Sequence, residues 1–346
     1  MSVPVSEAVQ SHSAHPWNPA GAGSVDAKSL ETWVDEGLGR HRAAIDQLTA
    51  VQGARTLDNT LRAYDDAVSA LSTVGSLTGL MHSVYADKAV RDTAQALLQK
   101  ISQAGVELSL NRDVYQALNA INAGEADAPT KHYLDRTLLQ YRLAGVDKDD
   151  ATRAKLKELQ DQATLTALSF GRNVQEGGNT VTIQDAKELD GLPLDYLEVH
   201  KPNEDGKITL TTDFPDYLPV MTFAKSADLR RQMFLAYNTR AYPANRQLLL
   251  DLLKIRQEIA GILGFAHWAD LATADQMMES AANMQAFLSD LDHATKGGAE
   301  KEYAMILEFA QSQQAGLSRI DAASRAYWVE QYRRSAFDFD SQSVRP

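Results

Sequence analysis

The chain has 346 residues, a formal net charge of −12 at pH 7 and no cysteine. The acidic balance argues against nucleic acid and anionic membrane surfaces as partners, because both attract basic patches. The lack of cysteine excludes disulfides, thiol catalysis and thiolate metal sites. No stretch approaches the roughly 20 apolar residues that span a bilayer, and the N-terminus lacks the basic and apolar regions of a signal peptide. We therefore expect a cytoplasmic location.

Composition and periodicity predict a mainly α protein. Ten prolines and 7% aromatic residues fit a helix-rich chain better than a β-sandwich. The lead-in is rich in Ser, Ala, Gly and Pro, which is typical of a flexible segment. Composition and hydrophobic periodicity divide the chain into four parts: a flexible lead-in at 1–28, an N-terminal helical region at 29–178, a β-containing segment at 179–218 and a second helical region at 219–346.

The rhythm changes from helical to alternating around residues 180–212. Apolar and polar residues alternate at 181–183, and again near 197–199 and 208–210. Asp205-Gly206 lies between the last two runs, and Asp-Gly in that position is a strong signal for a hairpin turn. The segment predicts a small antiparallel β insertion of two or three strands in the helical chain.

The best-defined helical signal runs from 226 to 264 and predicts two helices. Ser226 can cap the first helix, and Pro243 ends it because the residue before a proline avoids the α region. Asn245 can cap the second helix, and Gly264 followed by an apolar residue has the form of a Schellman stop. The second helix carries an apolar stripe at steps of four and three: Leu248, Leu252, Ile255, Ile259 and Ile262.

Two more helices are predicted after this pair, at 280–294 and 300–310. The first of them repeats apolar residues at helical spacing, and we expect these residues to form a core face: Met284, Phe287, Leu288 and Leu291.

Few residues are grouped in a way that indicates chemistry. None of the eight histidines lies in a His-Glu-x-x-His motif, and glycine-rich phosphate loops and a Gly-x-Ser-x-Gly elbow are missing. His12 and His15 form a His-x-x-His pair, but Pro16 disfavours a helix there, so a mobile arm is preferred to a metal site. His267 and Asp270 could meet on a helix, although a metal would need a third ligand that the sequence does not identify.

The other charged and aromatic groups are interpreted as structural. Asp65-Asp66 and Asp149-Asp150 are expected to be helix-start or surface charges. Five arginines of the helix pair could bind an anionic group, but we expect them to cover the solvated face and to pair with Asp251 or Glu258. These arginines are Arg230, Arg231, Arg240, Arg246 and Arg256. An aromatic stripe is expected to pack in the core or an interface: Tyr327, Trp328 and Tyr332.

Several pieces of the chain, in order, resemble the zinc oligopeptidase family of thimet oligopeptidase, oligopeptidase A and dipeptidyl carboxypeptidase. The family shows a run of the form R-x-x-x-A-x-x-x-R, then Asn, L-R-x-E-x-A-x-L-L-G, Met and F-L. This chain has counterparts in the same order, with four residues between the first two: Arg231, Ala236, Arg240, Asn245, Arg256, Glu258, Ala260, Leu263, Gly264, Met278, Phe287 and Leu288. TLDNTL (56–61), FGRNV within 168–177 and DGLP (190–193) are similar to further family segments. Ile255 stands where the family usually has Leu. Where the family tends to have Trp-Asp, no Trp precedes Asp321, and Ala322 follows it.

The resemblance covers nearly all of residues 30–346 and implies the N-terminal, mostly helical half of a zinc oligopeptidase-like fold. In that family the zinc ligands, with the catalytic glutamate, tyrosine and histidine, lie in the C-terminal half. No catalytic or metal residue can be carried over, and the substrate-binding residues are unknown. Zinc is therefore expected in the full-length enzyme and not on this chain.

The resemblance implies a fragment that forms one wall of a channel for short peptides and is inactive alone. Its expected partners are the peptides and its own C-terminal half. Self-association with a second copy is also expected, because a wall without its other half should expose apolar surface. A split or truncated gene, proteolysis or a deliberately shortened chain would each explain the length. The alternative is a non-catalytic helical module that binds peptides or proteins.

Overall fold

The computed structural model describes residues 25–124 and 126–339, and most of them are helical. This confirms the mainly α prediction. Up to the first strand, the elements are α1 (Ala27–Ala50), a π-helical turn (Leu57–Leu61), α2 (Arg62–Val84), α3 (Lys88–Ser109), α4 (Arg112–Asn119), α5 (Ala128–Ala144) and α6 (Asp150–Glu176). The sheet region contains β1 (Thr180–Ile183), a 3-10 turn (Ala186–Leu189), α7 (Leu194–Val199) and β2 (Ile208–Thr211). After it come α8 (Phe214–Phe223), α9 (Ala227–Asn238), α10 (Ala244–Leu263), α11 (Trp268–Thr273), α12 (Ala281–Gln313) and α13 (Arg325–Phe337).

The chain forms two compact units. Of the described residues, the first unit contains those up to Leu168 together with Leu250–Ala281, and the second contains Ser169–Leu249 and those from Ala282 to 339. The division into four parts by residue number stays a prediction.

The first helices begin at side-chain caps. The Asp26 side chain accepts a hydrogen bond from the Ser29 amide, and the two residues form a capping box at the start of α1. Thr56 and Asn59 form the same kind of box at the start of the TLDNTL segment. Such caps satisfy amides that otherwise have no partner at a helix start. They fix where α1 and the π-helical turn begin, and the apolar faces of α1, α2 and α3 then pack together around a set of buried residues: Leu30, Val34, Val74, Met81, Val90 and Leu97.

The connection between α5 and α6 depends on a glycine and an aspartate. Gly145 ends α5 with φ of +94°, in the left-handed region that favours glycine. The Asp149 carboxylate then accepts from the Thr152 amide at 3.0 Å and starts α6. The Asp150 carboxylate lies 2.7 Å from Arg153. The pair Asp149-Asp150 is therefore a helix-start charge, as predicted.

The two strands pair antiparallel, with Val181 opposite Leu210 and Ile183 opposite Ile208. These four side chains are buried and belong to the core of the second unit. The β insertion is thus confirmed.

The hairpin partner predicted for Asp205-Gly206 is wrong. Gly206 does have a positive φ of +76°, and the Asn203 carboxamide oxygen accepts from the Lys207 amide at 2.9 Å, so a tight turn is present. The run at 197–199, however, belongs to helix α7. Strand β2 pairs with β1 instead, because residues 181–183 can place their apolar side chains in the core.

The helix pair at 226–264 forms with two corrections. The Ser226 hydroxyl accepts from the Leu229 amide at 3.2 Å, and Gly264 (φ +90°) makes the predicted Schellman stop, with the Phe265 amide donating to the Ala260 carbonyl at 2.9 Å. Helix α9 already ends at Asn238, before the cis Tyr242-Pro243 bond.

Asn245 does not cap α10 but lies inside its first turn. Its side-chain amide donates to the Phe170 carbonyl at 3.0 Å, and its oxygen accepts from Asn173 at 2.8 Å. Both partners belong to α6. Asn245 is buried and joins α10 to the C-terminal end of α6.

Helix α12 differs from the prediction in length and in burial. It is one helix of 33 residues that includes Gly297 and Gly298, where we expected a break. The predicted core face is wrong: Phe287, Leu288 and Leu291 are 51%, 50% and 48% exposed. The helical spacing correctly indicates one apolar face, but no described residue covers it.

Within the described ranges, no helix is both long and apolar enough to cross a membrane.

Gly145 provides a test of this packing. A Cβ at this position would lie 2.5 Å from Leu156 Cδ1 and 2.8 Å from Leu263 Cδ2, and Leu156 is fully buried. We expect Gly145→Ala to lower the free energy of unfolding by about 2–4 kcal/mol, from backbone strain and overpacking together. Urea unfolding followed by circular dichroism measures this.

Gly53→Ala is the matched control, because Gly53 also has a positive φ (+84°) but nothing within 4 Å of the added Cβ. It should cost only about 1 kcal/mol. Equal losses of unfolding free energy in the two variants would show that the contacts with Leu156 and Leu263 do not exclude a side chain at position 145.

Candidate functional site

Of the histidine candidates, the structure describes only His267, and it does not lie in a metal site. His12 and His15 lie outside the described residues. His267 is exposed at the start of α11, and the hydrogen bond that joins it to Asp270 is between backbone atoms, at 3.1 Å. No group of three His, Asp or Glu side chains within 25–124 and 126–339 could hold a metal ion. The described residues therefore do not fit the zinc that the resemblance implies for the full enzyme.

The five arginines of the helix pair have different environments. Arg231 and Arg246 are exposed, as predicted for a solvated face. Arg256 lies over the Trp268 ring, 5.3 Å from its centroid. Glu258, an expected arginine partner, lies 3.6 Å from Lys155 instead. The other two arginines, Arg230 and Arg240, make more specific contacts.

Arg230 is buried, and the prediction that it covers a solvated face is wrong. Its Nη1 donates to the Ala224 and Lys225 carbonyls at 2.5 and 3.0 Å, where the helix α8 ends and the helix dipole favours a cation. Its guanidinium lies 4.1 Å from the centroid of Tyr327. Burial lowers the pKa of Arg230, while Tyr327 and Asp321 act in the opposite direction. These contacts join α8, α9 and α13, so Arg230 is a structural residue.

Tyr327 and its neighbours pack as predicted. Trp328 is buried and lies against Tyr327 with ring centroids 5.1 Å apart. Tyr332 contacts Phe309 of α12 edge to face at 5.7 Å. The aromatic stripe of α13 thus serves core packing, including the attachment of the C-terminal part of α12.

Arg240 belongs to a stack with two tyrosines. The Tyr217 and Tyr237 rings lie parallel with centroids 3.9 Å apart, and the Arg240 guanidinium lies 3.9 Å from the Tyr237 centroid. Since both neighbours are this close to one ring, they occupy its opposite faces. Burial raises the pKa of Tyr217, and Arg240 acts in the opposite direction.

The stack leaves Arg240 able to bind an anion. Its Nε donates to the Tyr237 carbonyl at 3.1 Å, and no described residue accepts a hydrogen bond from its two Nη groups. Stacking holds the planar guanidinium in one orientation, which suits recognition of a carboxylate or carbonyl oxygen. Of the five candidate arginines, Arg240 is therefore the one whose geometry supports a ligand contact.

A second polar cluster, centred on Asp216, was not identified from the sequence. Asp216 is 7% exposed. One of its oxygens accepts from the Thr211 amide and hydroxyl, both at 2.7 Å. The other lies 3.1 Å from the Tyr196 hydroxyl and 2.8 Å from His200 Nε2. The cluster joins α7, β2 and α8, and only the fold brings these residues together.

The cluster resembles a catalytic His-Asp pair, but its hydrogen bonds show a structural role. His200 Nδ1 lies 2.9 Å from the Tyr196 carbonyl, so both ring nitrogens are occupied, and both Asp216 oxygens are occupied too. No atom of the pair is left to take a proton from a substrate, as a general base must. Burial, together with the Asp216 carboxylate, raises the pKa of Tyr196 well above its usual value.

Comparison with known proteins shows which sequences this chain resembles. The sequence pattern of Peptidase family M3 matches residues 220–346. Saccharolysin from Saccharomyces cerevisiae is 31% identical over 63% of this chain and 32% of its own length. Oligopeptidase A from Salmonella typhimurium is 25% identical over 90% of this chain and 48% of its own length. Thimet-like oligopeptidase from Dictyostelium discoideum is 24% identical over 67% of this chain and 36% of its own length. The chain spans less than half the length of each of these relatives.

Replacing Asp216 tests the structural role of the cluster. We expect Asp216→Ala to lower the free energy of unfolding by about 3 kcal/mol, because it leaves several buried donors without an acceptor. Asp213→Ala is the matched control, since Asp213 precedes the same helix and makes no side-chain capping bond. It should change stability by less than about 0.5 kcal/mol. Urea unfolding of both variants measures this, and equal effects would contradict the assignment.

Proposed function

Because this chain belongs to peptidase family M3, we propose that it forms the substrate-accommodating half of an oligopeptidase that hydrolyses short peptides. The observation that carries this proposal is the similarity to oligopeptidase A over 90% of the chain. Two of the three relatives described above bear the names of oligopeptidases. The net charge of −12 suits a protein without nucleic-acid or anionic-membrane partners, and we propose that it works in the cytoplasm.

The catalytic zinc, in this proposal, is held by residues outside this chain. Two observations support it: the sequence has no His-Glu-x-x-His motif, and the described residues offer no set of three metal ligands. This chain alone then binds no zinc stoichiometrically and does not hydrolyse peptides. Its contribution is to bind and orient the peptide.

Arg240 is the residue that we assign to peptide contact. Its Nη groups have no partner among the described residues, and Tyr237 holds its guanidinium in place from one side. A peptide carbonyl or C-terminal carboxylate provides the acceptor that this geometry lacks.

The apolar face of α12 is the surface that the remaining part of the peptidase covers. Three observations support this assignment: the face is half exposed over Phe287, Leu288 and Leu291, the helix continues without a break to Gln313, and the relatives are about twice as long as this chain. When the remaining part is missing, a second copy of the chain covers the face instead.

Zinc analysis and a peptidase assay test the proposal. After dialysis, this chain alone should retain far less than one zinc per molecule and should not cleave short unstructured peptides. Joined to the C-terminal half of oligopeptidase A from Escherichia coli, a 24% identical relative, it should give zinc-dependent cleavage. One tightly bound zinc, or cleavage by the chain alone, contradicts the division of roles. A folded chimaera without activity supports the alternative, a non-catalytic helical binding module.

Arg240→Met in the active chimaera tests the peptide contact. We expect KM to rise about tenfold with little change in kcat, as for the loss of a uniform binding contact worth about 1.4 kcal/mol. Arg231→Met is the matched control, because Arg231 is exposed and lies on the preceding helix. A similar rise in KM for Arg231→Met would remove the assignment from Arg240.

A further inference from the structure

A cavity of about 300 Å³ lies in the first unit, between α1 and α3. It is separate from the Tyr217–Tyr237–Arg240 stack, which belongs to the second unit. Apolar side chains such as Ile45 and Leu108 form part of its lining, and polar side chains converge on the rest. Small-molecule sites are typically apolar cavities with a few placed polar groups, and this volume is at the lower end of their range.

His41 is the buried polar group of the cavity. It is 5% exposed, and its Nδ1 lies 2.9 Å from the Ala67 carbonyl. A carbonyl only accepts, so Nδ1 carries the hydrogen and, in the neutral ring, Nε2 is an acceptor. No described residue donates to Nε2. Because the His41 side chain lines the cavity, Nε2 is available to a ligand that donates a hydrogen bond.

Two opposite charges lie beside His41 on the same helix. Asp46 makes no side-chain hydrogen bond or ion pair with any residue in the described ranges. Arg42, one helical turn earlier, uses its Nε on the Leu38 carbonyl at 3.2 Å, which leaves its Nη groups for other acceptors. Two other charged lining residues already have partners: Glu107 lies 3.4 Å from Lys157, and Lys100 lies 2.5 Å from Asp35. The cavity therefore offers one carboxylate and one guanidinium to a ligand.

A metal ion does not fit this arrangement, because no three potential ligands come together among the described residues. The acceptor at His41 and the carboxylate of Asp46 suit an ammonium group. The guanidinium of Arg42 suits a carboxylate. The apolar lining suits an aliphatic side chain.

We propose that this cavity binds a small zwitterion with an aliphatic side chain, a free α-amino acid or a dipeptide. Its ammonium group donates to His41 Nε2 and lies near Asp46, and its carboxylate lies near Arg42. Ligand binding at this site does not depend on peptide hydrolysis by the chain. A negative result in the zinc and peptidase assays of the proposed function would therefore not contradict it.

Isothermal titration calorimetry with L-leucine tests the ligand class. We expect a dissociation constant below about 1 mM. N-acetyl-leucine lacks the ammonium group and leucinamide lacks the carboxylate, and each should bind at least ten times more weakly. The absence of leucine binding, or equal binding of the three compounds, would overturn the proposal.

Substitutions at the cavity test the residues. Asp46→Asn and Arg42→Gln should each weaken leucine binding about tenfold. The matched control is Asp66→Asn, since Asp66 is also an exposed helical aspartate but does not line the cavity; it should leave binding unchanged. His41→Phe should abolish binding, and if that variant fails to fold by circular dichroism, the two surface variants decide. Unchanged binding in Asp46→Asn and Arg42→Gln contradicts the site.

Discussion

The uncovered apolar face of α12 is the constraint on which this account of the protein depends. Phe287, Leu288 and Leu291 are about half exposed on a helix of 33 residues. Burial of apolar area contributes about 25 cal/mol per Å², so a face of this kind is normally buried in the native protein. Contiguous exposed apolar patches mark surfaces that other chains or domains cover. The sequence specifies a helix that the described residues do not cover.

In the second unit, contacts at the C-terminal part of α12 hold this helix while its apolar face stays exposed. The helix is attached through its C-terminal part, where Ala310 is buried and Phe309 packs against Tyr332 of α13. Arg230 fixes α13 against the end of α8 through Tyr327 and the Ala224 carbonyl. Arg230 is therefore structural, whereas the stacked Arg240 keeps two Nη groups without an acceptor among the described residues.

Local signals were sufficient where a helix end depends on neighbouring residues. Ser226, Gly264 and the Asp149-Asp150 pair act as predicted, because caps and stops are formed within a few residues of the chain. Alternation at 181–183 was also sufficient to place β1. The partner of β2 was not predictable from Asp205-Gly206, since a turn signal identifies the bend but not the strand that returns to it.

Long-range contacts explain the other failures. Asn245 has a good capping side chain, but two hydrogen bonds to α6 place it inside α10. Asp216, Tyr196 and His200 are separated along the chain, and no spacing rule brings them together. The amphipathic pattern of α12 shows which residues share a face but not whether anything covers them. Burial depends on partners, and the candidate ligand contacts at Arg240 and His41 likewise became visible only with their neighbours in place.

Size-exclusion chromatography with light scattering tests the central claim most directly. We expect the molar mass of the wild-type chain in solution to rise with its concentration. The double variant Phe287→Glu, Leu291→Glu should stay monomeric. Leu194→Glu, at an exposed leucine of α7 in the same unit, should leave the association unchanged. A wild-type chain that stays monomeric at every concentration, or association unaffected by the α12 substitutions, would contradict the claim that this face needs a cover.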